Sequence, residues 1–324
     1  MVHQKGKKKS KIRRFLAFLL MVIIVVLAFK FIMIPGVRHL FEENGKDKTA
    51  LVSSLTISCA ATVSISSDSL HSPNVILIRL SDHIVLMQKN SEEKIYPASL
   101  TKMMTAIVAI ENLPDLKEEI KLTNSTFQGL YKADASMAGF QPGEQVKAID
   151  LLYGVMLPSG AESCIGLADQ IAGSEQDFVK IMNQKAADLG MDNTHFENTT
   201  GLHDENHYTT VKDLSILLRY ALQNDTFREI FTSSRHSTQP TNKHPGGITF
   251  YSTMFEDFNN QSIISGEILG GKTGYTDEAG LCLASLAKVD EQEYILITAD
   301  AKGDHDSEQY NITDAFAVYN SIGK

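Results

Sequence analysis

The sequence predicts an α/β domain of the α+β type, with an antiparallel sheet assembled from both ends of the folded region. Apolar runs typical of strands occur at 75–80 and 84–88, and again at 281–287 and 294–300. The patterns between these two pairs are helical. Because strands and helices do not alternate one by one, a repeated β-α-β unit is not indicated.

The individual elements follow from breaks and caps along the chain. Ser81-Asp82-His83 separates the first two strand patterns, which predicts a hairpin. The stretch 97–110 has no breaker after Pro97 and is apolar nearly all round, which predicts a helix buried in the domain centre. Ser174 is predicted as an N-cap, and Thr210 with Asp213 has capping-box spacing, with Asp in place of the usual Glu. Further helices are predicted at 150–157, 161–172, 174–189, 210–223 and 306–322.

The first 34 residues have the composition of a membrane anchor. Residues 1–14 carry seven basic side chains and no acidic one, and 15–34 is apolar apart from Lys30. At 1.5 Å per residue, a helix over 15–34 spans roughly 30 Å, the thickness of a bilayer's hydrocarbon core. Basic residues before the span, and Glu42 and Glu43 after it, predict a cytoplasmic N-terminus and an extracytoplasmic main domain.

A cleaved signal peptide is the alternative for this segment, since its apolar region can reach about fifteen residues. No small-x-small cleavage site follows Ile34, which favours an uncleaved anchor. A soluble core helix would not need seven basic residues in front of it. The sequence therefore predicts a basic head at 1–14, a transmembrane anchor at 15–34, an extracytoplasmic linker at 35–73 and the main domain at 74–324.

Charge and cysteine content limit the partners and cross-links of the main domain. The basic head holds seven of the 30 Lys and Arg residues, so the remainder, with 39 Asp and Glu, carries a net charge near −16. Such acidity argues against nucleic acid as a partner. Three cysteines (Cys59, Cys164 and Cys282) are too few for a disulfide framework. Cys164 and Cys282 lie in apolar contexts and are predicted to be small buried hydrophobes, with a bridge between them as the alternative.

Ser99 and Lys102 form a Ser-x-x-Lys motif in the predicted central helix. Positions i and i+3 share one face of a helix, so the hydroxyl and the amine are expected side by side. Serine needs an adjacent base to act as a nucleophile, and a lysine buried among apolar residues has a lowered pKa. Ser99 is also expected in the first turn, where free backbone N–H groups can stabilise an oxyanion.

Ser-x-x-Lys by itself is frequent by chance. A second match at Ser91 and Lys94 lies among acidic residues before Pro97, as expected for a solvated loop. Ser99 is distinguished by two motifs that follow it in order. Ser159 lies between Pro158 and Gly160, at a break between two helical patterns where a hydroxyl can face a cleft.

The third motif is Lys272-Thr273-Gly274, which follows two further glycines and occurs once in the chain. Glycines allow a ligand backbone to approach a strand closely. Lys and Thr supply a cation and a hydroxyl for a carboxylate. The sequence thus offers a nucleophile, a base, a second hydroxyl and an anion-binding strand.

Together these motifs resemble the Ser-x-x-Lys, Ser-x-Asn and Lys-Thr-Gly signature of penicillin-recognising enzymes. The chain is similar to low-molecular-mass D-alanyl-D-alanine carboxypeptidases of the serine type, from about Asn74 to the C-terminus. The resemblance implies a penicillin-binding/β-lactamase-like fold, with helices on both faces of an antiparallel sheet plus a helical subdomain. It rests on the segments 96–103, 156–160, 198–202, 207–210 and 271–276.

The resemblance also implies roles for individual residues. Ser99 would attack the D-Ala-D-Ala carbonyl, Lys102 would take its proton, and Ser159 would relay a proton to the leaving amine. Water would then hydrolyse the acyl-enzyme, and β-lactams would act as covalent inhibitors. Lys272 and Thr273 would hold the terminal carboxylate beside Gly274, and the N–H groups of Ser99 and Tyr275 would form the oxyanion hole. No metal or other cofactor is implied.

One position departs from the family pattern. The Asn of Ser-x-Asn is replaced by Ala161, which has no carboxamide to orient Lys102 or to bind the acyl-side amide. Losing one such hydrogen bond costs on the order of 1–3 kcal/mol. We expect an active but modified site, with weaker activity, altered substrate choice or a substitute such as Glu162.

A second departure is architectural. Only fifty residues follow Gly274, enough to finish the sheet and a closing helix. Many relatives add a C-terminal β-domain and an amphipathic membrane helix, and here the N-terminal anchor is expected to replace them. The arrangement is similar to membrane-anchored carboxypeptidases found with some vancomycin-resistance systems, which implies a link to antibiotic resistance and cell-wall biogenesis.

Three other functions are open to this sequence. His203 and His207 invite a zinc D,D-peptidase interpretation, but the pattern is not His-Glu-x-x-His, and Gly201 and Asn206 favour a polar loop. A β-lactamase would need a carboxylate for the deacylating water, and no Glu in a matching motif lies between Ser159 and Lys272. A non-enzymatic penicillin or muropeptide sensor is disfavoured by the short cytoplasmic head.

Overall fold

The computed structural model describes residues 63–258 and 261–323. The predicted head at 1–14, the anchor at 15–34, most of the linker and Cys59 lie outside these residues. Within the described ranges, no helix has both the length and the apolarity needed to cross a bilayer.

The described residues form a five-stranded antiparallel sheet and two small two-stranded sheets. The main sheet has the order β2-β1-β9-β8-β7, so strands from the start and the end of the domain are neighbours, as predicted. The strands are β1 (Asn74–Arg79), β2 (Val85–Lys89), β3 (Glu119–Lys121), β4 (Gln145–Lys147), β5 (Arg235–Ser237), β6 (Thr249–Tyr251), β7 (Gly266–Thr276), β8 (Gly280–Val289) and β9 (Gln292–Ala301). The short pairs β3–β4 and β5–β6 are not anticipated by the sequence, because three residues are too few to show a period.

The α-helices of the described residues are α1 (Lys102–Asn112), α2 (Ala148–Met156), α3 (Ala161–Ala172), α4 (Glu175–Asp188), α5 (Val211–Ala221), α6 (Asp225–Phe231), α7 (Thr253–Glu256) and α8 (Tyr310–Tyr319). Six of these eight described helices correspond to predicted ones, and the short helices α6 and α7 are not predicted by the sequence. Ser174 caps α4 by accepting from the Asp177 N–H, as predicted. Thr210 caps α5 by accepting from the Asp213 N–H. The Asp213 carboxylate, however, accepts from the Asn193 N–H and not from the backbone N–H of Thr210. The capping box is therefore only half formed.

Two predicted helix starts are wrong by several residues. The pattern at 97–110 begins as a 3₁₀ turn (Ala98–Thr101), in which Ala98 has a left-handed φ of 45°, and the α-helix starts only at Lys102. The last helix begins at Tyr310 instead of 306. An internally hydrogen-bonded loop at 302–309 precedes it.

The sheet separates two apolar cores. On one face of the sheet, α5 packs on β1 and β9. The central helix α1 lies on the same face and contacts each of the helices α2, α3, α4, α5 and α6. On the other face, α8 packs on β8 and β9. The arrangement has helices on both faces and places the N-terminus of α1 beside the edge strand β7.

Residues 63–73, which the sequence assigns to the linker, contact the C-terminal helix. Val63 pairs with Ile322, and the backbone N–H groups of His71 and Ser72 donate to the Asp314 carboxylate at 3.0 and 2.8 Å. Ordered contacts thus begin before the boundary predicted at residue 74.

Cys164 and Cys282 are fully buried free thiols, not a disulfide. Burial raises the pKa of each thiol to about 12, as expected for inert core residues. The prediction of small buried hydrophobes is confirmed for these two cysteines.

Candidate active site

Ser99 lies in the 3₁₀ turn that leads into α1. In a 3₁₀ turn, positions i and i+3 eclipse each other, so this geometry aligns Ser99 with Lys102 more directly than an α-helix would. The turn is pressed between two glycines. A Cβ on Gly201 would lie 1.9 Å from the Ala98 carbonyl oxygen, and one on Gly274 would lie 3.0 Å from the Ser99 nitrogen. Only glycine at 201 permits this close approach.

Lys102 is buried, and its amine contacts two groups. Nζ lies 3.0 Å from Ser99 Oγ and donates to the carbonyl oxygen of Thr200 at 2.6 Å. Burial lowers the pKa of Lys102, partly opposed by the charges of Cys164 and Glu162. A neutral amine in this position accepts the Ser99 hydroxyl proton while still donating to Thr200.

The loop that carries Thr200 is fastened to the helices around it. Thr105 Oγ1, one turn along α1, donates to the carbonyl oxygen of Thr199 at 2.7 Å. Asn198 Oδ1 accepts from the Gly201 N–H at 2.7 Å, and Glu175 accepts from the Thr199 N–H at 2.9 Å. These bonds fix the carbonyl that orients Lys102.

His207 supports the nucleophile turn from behind. The Glu197 N–H donates to Nδ1 at 3.2 Å, so the neutral ring carries its proton on Nε2, which donates to Thr101 Oγ1 at 2.8 Å. Burial lowers the pKa of His207 to about 4, which keeps the ring neutral near pH 7. The segment 203–207 is a loop, and no group of three or more possible metal ligands occurs among the described residues.

Ser159 stands at the corner between α2 and α3. It has a left-handed φ of 65°, and its Oγ is buried without a hydrogen-bond partner among the described residues. The corner is tight, because a Cβ on Gly160 would lie 2.6 Å from that of Ala138. Ser159 is a lining residue of a cavity beside Ser99, and its buried hydroxyl keeps its bonding capacity unused.

Ala161 opens α3 and faces the cavity beside Lys102. Glu162, the suggested substitute for the missing Asn, makes no hydrogen bond to that amine among the described residues. Its Oε1 accepts from the N–H groups of Gly139 and Phe140 at 2.9 and 3.2 Å. Burial raises the pKa of Glu162. Of the alternatives offered for Ala161, a direct bond from Glu162 to Lys102 is not formed, and the Thr200 carbonyl accepts from that amine instead.

The Lys-Thr-Gly motif lies on β7, the edge strand nearest to Ser99. Lys272 is 1% exposed, and its Nζ donates to the Thr273 carbonyl oxygen at 2.8 Å. Burial, followed by the charge of Lys102, places the pKa of Lys272 well below its usual value. Thr273 Oγ1 lies 2.7 Å from Thr253 Oγ1. The Tyr275 hydroxyl donates to Asp277 at 2.7 Å.

Two cavities meet at Ser99. The first, cavity A, has a volume of about 310 Å³ and is lined by Lys102, Ala161 and the loop around Thr200. The second, cavity B, has a volume of about 230 Å³ and contains Ser159, Thr273 and Gly274. Both are also lined by Ser99, Ser136, Tyr275 and His305. The structure thus brings the predicted site residues together, except that Lys272 lies beneath the cavity wall.

The residues of this cleft without a predicted role include Ser136, Thr200, Thr253 and His305. Thr200 belongs to a segment that contributes to the family resemblance, so a signal for it exists in the sequence. The other three lie in stretches without a motif. They reach the site only through tertiary packing.

Comparisons with known proteins agree with this geometry. The model of the peptidase S11 family, D-alanyl-D-alanine carboxypeptidase, matches residues 61–303. The carboxypeptidase DacF of Bacillus subtilis is 34% identical over 235 residues, covering 70% of this chain and 57% of that protein. DacC of Escherichia coli is 31% identical, covering 76% and 60% respectively. The chain thus spans a little over half the length of these relatives.

Superposition on solved structures supports the same fold. The crystal structure of the Streptomyces K15 DD-transpeptidase superposes with a TM-score of 0.69 at 25% identity, covering 79% of this chain and 98% of that one. A D-alanyl-D-alanine carboxypeptidase from Mycobacterium tuberculosis gives 0.68 at 24% identity, covering 80% and 94%, a likeness of fold alone. The predicted antiparallel α/β fold is confirmed, and the chain belongs to the peptidase S11 family of D-alanyl-D-alanine carboxypeptidases.

Proposed function

We propose that this chain is a serine D,D-carboxypeptidase that removes the C-terminal D-Ala from peptidoglycan stem peptides through an acyl-enzyme. The observation that carries the proposal is the 3.0 Å approach of Lys102 Nζ to Ser99 Oγ, at the junction of two cavities. Family membership supports the same reaction. Penicillin, which contains a comparable acyl group, would acylate Ser99.

Acylation begins with proton transfer from Ser99 Oγ to the neutral amine of Lys102. Oγ then forms a bond to the carbonyl carbon of the penultimate D-Ala, and the carbonyl electron pair moves to oxygen. The N–H groups of Ser99 and Tyr275 are the proposed donors to this oxyanion. The close packing of β7 against the nucleophile turn supports the pairing, since a Cβ on Gly274 would lie only 3.0 Å from the Ser99 nitrogen.

The tetrahedral intermediate collapses when the C–N bond to the terminal D-Ala breaks. The leaving nitrogen needs a proton, and we assign its relay to Ser159. Its buried hydroxyl has no partner among the described residues, and the residue lines cavity B beside Ser99. Thr273 in the same cavity is the proposed hydroxyl donor to the terminal carboxylate, and the buried Lys272 amine positions the Thr273 backbone by donating to its carbonyl oxygen. Water then attacks the acyl-enzyme and releases the shortened peptide.

We further propose that the catalytic domain is extracytoplasmic, held to the membrane by a single helix over 15–34. The composition of that segment and the basic head before it support this location. Stem peptides ending in D-Ala-D-Ala would be the substrates at the membrane surface. Trimming such ends is the proposed route by which this enzyme would contribute to glycopeptide resistance.

The proposal is tested by measuring D-Ala release from an N-acylated L-Lys-D-Ala-D-Ala peptide, using the full chain and its Ser99→Ala variant. We expect release by the wild type and none above background by the variant, with both unfolding at similar temperatures. Release that survives Ser99→Ala and is abolished by a chelator would instead support a zinc enzyme. Rapid turnover of penicillin, without a long-lived adduct, would favour a β-lactamase. Penicillin acylation without any D-Ala release would favour the sensor.

A further inference from the structure

A third cavity lies outside the catalytic cleft. Cavity C has a volume of about 340 Å³ and is lined by His71, Pro73, Asp300, Lys302 and Tyr310. It shares none of these lining residues with cavity A or cavity B. Its wall combines the segment before β1, the end of β9 with the residue that follows it, and the first residue of α8. The proposed reaction uses none of these side chains, so the catalytic mechanism does not account for cavity C.

One part of this wall is apolar and aromatic. The rings of His71 and Tyr310 are stacked, with their centroids 4.0 Å apart and an interplanar angle of 15°, and Pro73 is a further lining residue. The pair is held by the backbone, because the His71 N–H donates to Asp314 in α8 at 3.0 Å and Tyr310 begins the same helix. Aromatic rings of this kind have apolar faces and polar edges. They suit a ligand with a flat apolar face that is bordered by polar groups.

The other part of the wall is polar and carries one charge of each sign, from Asp300 and Lys302. Strand β9 bulges here, since Thr298 to Ala301 is three steps long where the paired stretch of β8 has two. Asp300 lies in this bulge with a left-handed φ of 61°. The residue is exposed, but partial desolvation raises the pKa of its carboxyl above the ordinary value. Bulges commonly redirect a side chain next to a functional site.

We propose that cavity C is a saccharide-binding site that takes a pyranose ring of the peptidoglycan glycan strand. The C–H face of the ring lies on the His71–Tyr310 pair, while the Asp300 carboxylate accepts from a hydroxyl or acetamido N–H. Lys302 donates to a sugar oxygen. A neutral ligand with many hydroxyl groups bonds to both charges at once, whereas a cation is repelled by Lys302 and an anion by Asp300. The saccharide class follows from cavity C itself, and the choice of the glycan strand rests on the proposed carboxypeptidase function.

Cavity C adjoins the side of the cleft that takes the leaving group. Tyr310 lines cavity C, while its chain neighbours Gln309 and Asn311 line cavity B. A glycan strand bound in cavity C is therefore held beside the cleft, and the stem peptides along that strand gain a high effective concentration at Ser99. A free peptide gains nothing from this site. Cavity C thus makes glycan-linked stem peptides better substrates than free ones.

The binding test titrates tetra-N-acetylchitotetraose, a soluble N-acetylhexosamine tetramer, into the full chain by calorimetry, in a detergent without a sugar head group. We expect saturable binding by the wild type. In His71→Ala the affinity should fall about tenfold through loss of one stacking contact, and Asp300→Asn should weaken binding by a similar factor. Tyr251→Ala is the matched control and should bind as the wild type does, because Tyr251 is an exposed tyrosine on β6 that lines none of the three cavities.

A kinetic test links this binding to catalysis. It compares D-Ala release from soluble, uncross-linked glycan chains that carry pentapeptides with release from the free pentapeptide. The ratio of kcat/KM for the glycan chains to that for the free peptide should fall about tenfold in His71→Ala. In Tyr251→Ala the ratio should equal that of the wild type. Unfolding temperatures measured in parallel distinguish the loss of a ligand contact from the loss of the fold.

The outcomes separate this site from the proposed reaction. Absence of tetramer binding by the wild type, or unchanged affinity in both His71→Ala and Asp300→Asn, overturns the saccharide site. Tighter binding of N-acetyl-lysine amide, a cationic probe, than of the tetramer would overturn it as well. D-Ala release without tetramer binding overturns the saccharide site alone, whereas tetramer binding without D-Ala release overturns the proposed function and leaves the saccharide site standing.

Discussion

The two walls of the cleft differ in how completely their polar atoms are bonded. On the nucleophile wall (Ser99, Thr101, Lys102 and Thr105), each polar side chain has a partner within the domain. On the corner wall (residues 158–163), Ser159 Oγ, Glu162 Oε2 and Ser163 Oγ are buried without one among the described residues. The nucleophile wall is therefore preorganised by hydrogen bonds, whereas the corner wall keeps polar atoms that are free to bond a ligand.

This difference has an energetic meaning. A buried polar atom left without a partner costs about 1–3 kcal/mol, so the corner wall is held at some expense to stability. The cost is recovered when a bound substrate offers a partner, as the leaving nitrogen would to Ser159. Removing a bonded hydroxyl such as that of Thr105 should therefore reduce stability as well as activity, whereas removing the Ser159 hydroxyl should affect catalysis alone.

The largest effect is expected at the nucleophile. Ser99→Ala removes the atom that forms the acyl bond, so D-Ala release should fall by at least about 10⁴-fold. Substrate affinity, measured by equilibrium binding of a non-hydrolysed peptide analogue, should change little. Residual activity close to that of the wild type would show that the nucleophile lies elsewhere.

On the corner wall, Ser159→Ala should lower kcat by about 100-fold through loss of the proton relay. Its free energy of unfolding should not decrease, because the hydroxyl has no bond to lose. Thr105→Val is the contrasting variant on the nucleophile wall. It loses the bond to the Thr199 carbonyl and should be destabilised by about 1–3 kcal/mol. Equal destabilisation of the two variants in urea would remove the distinction between the walls.

Protonation of His207, which bonds Thr101 on the nucleophile wall, should make the free energy of unfolding depend on pH. Its folded pKa of about 4 is below the unfolded value near 6.5, so the unfolded chain binds the proton first as pH falls. The contribution of His207 to the free energy of unfolding is complete above about pH 6.5. It decreases by roughly 3 kcal/mol as the pH falls from about 6.5 to about 4. His207→Gln cannot titrate, and its urea midpoint should vary less across this window. An unchanged pH dependence in the variant would exclude His207 as the source.

The smallest effect is expected from Ala161→Asn on the corner wall. The new carboxamide would face cavity A beside Lys102 and restore one hydrogen bond, raising the acylation rate by about tenfold or less. The rate is measured from the onset of penicillin adduct formation. No change in either acylation or turnover would show that Thr200 alone suffices to orient Lys102.

The sequence predicts the parts of this site that depend on local spacing. Ser99 and Lys102 are three residues apart, and Ser159 follows Pro158, so their placement needs only the geometry of a turn. The main strands and the helix caps are also local features. In these cases the distance between predicted and observed boundaries is a few residues.

Contacts between distant segments could not be predicted in this way. The Thr200 carbonyl reaches Lys102 across 98 residues of chain, and Thr253 meets Thr273 only because α7 packs beside β7. The burial of Lys272 and the position of His305 depend on the same packing. Glu162 was a reasonable substitute by its sequence position, yet its direction is set by the backbone of the 138–140 segment.

The central claim is that Ser99 is the nucleophile activated by Lys102, and the most direct measurement is the site of penicillin attachment. The full chain is treated with penicillin, digested and analysed by tandem mass spectrometry. We expect a single adduct of one penicillin mass on the peptide containing Ser99, absent in Ser99→Ala and formed slowly in Lys102→Met. An adduct on any other residue, or none in the wild type, would contradict the mechanism.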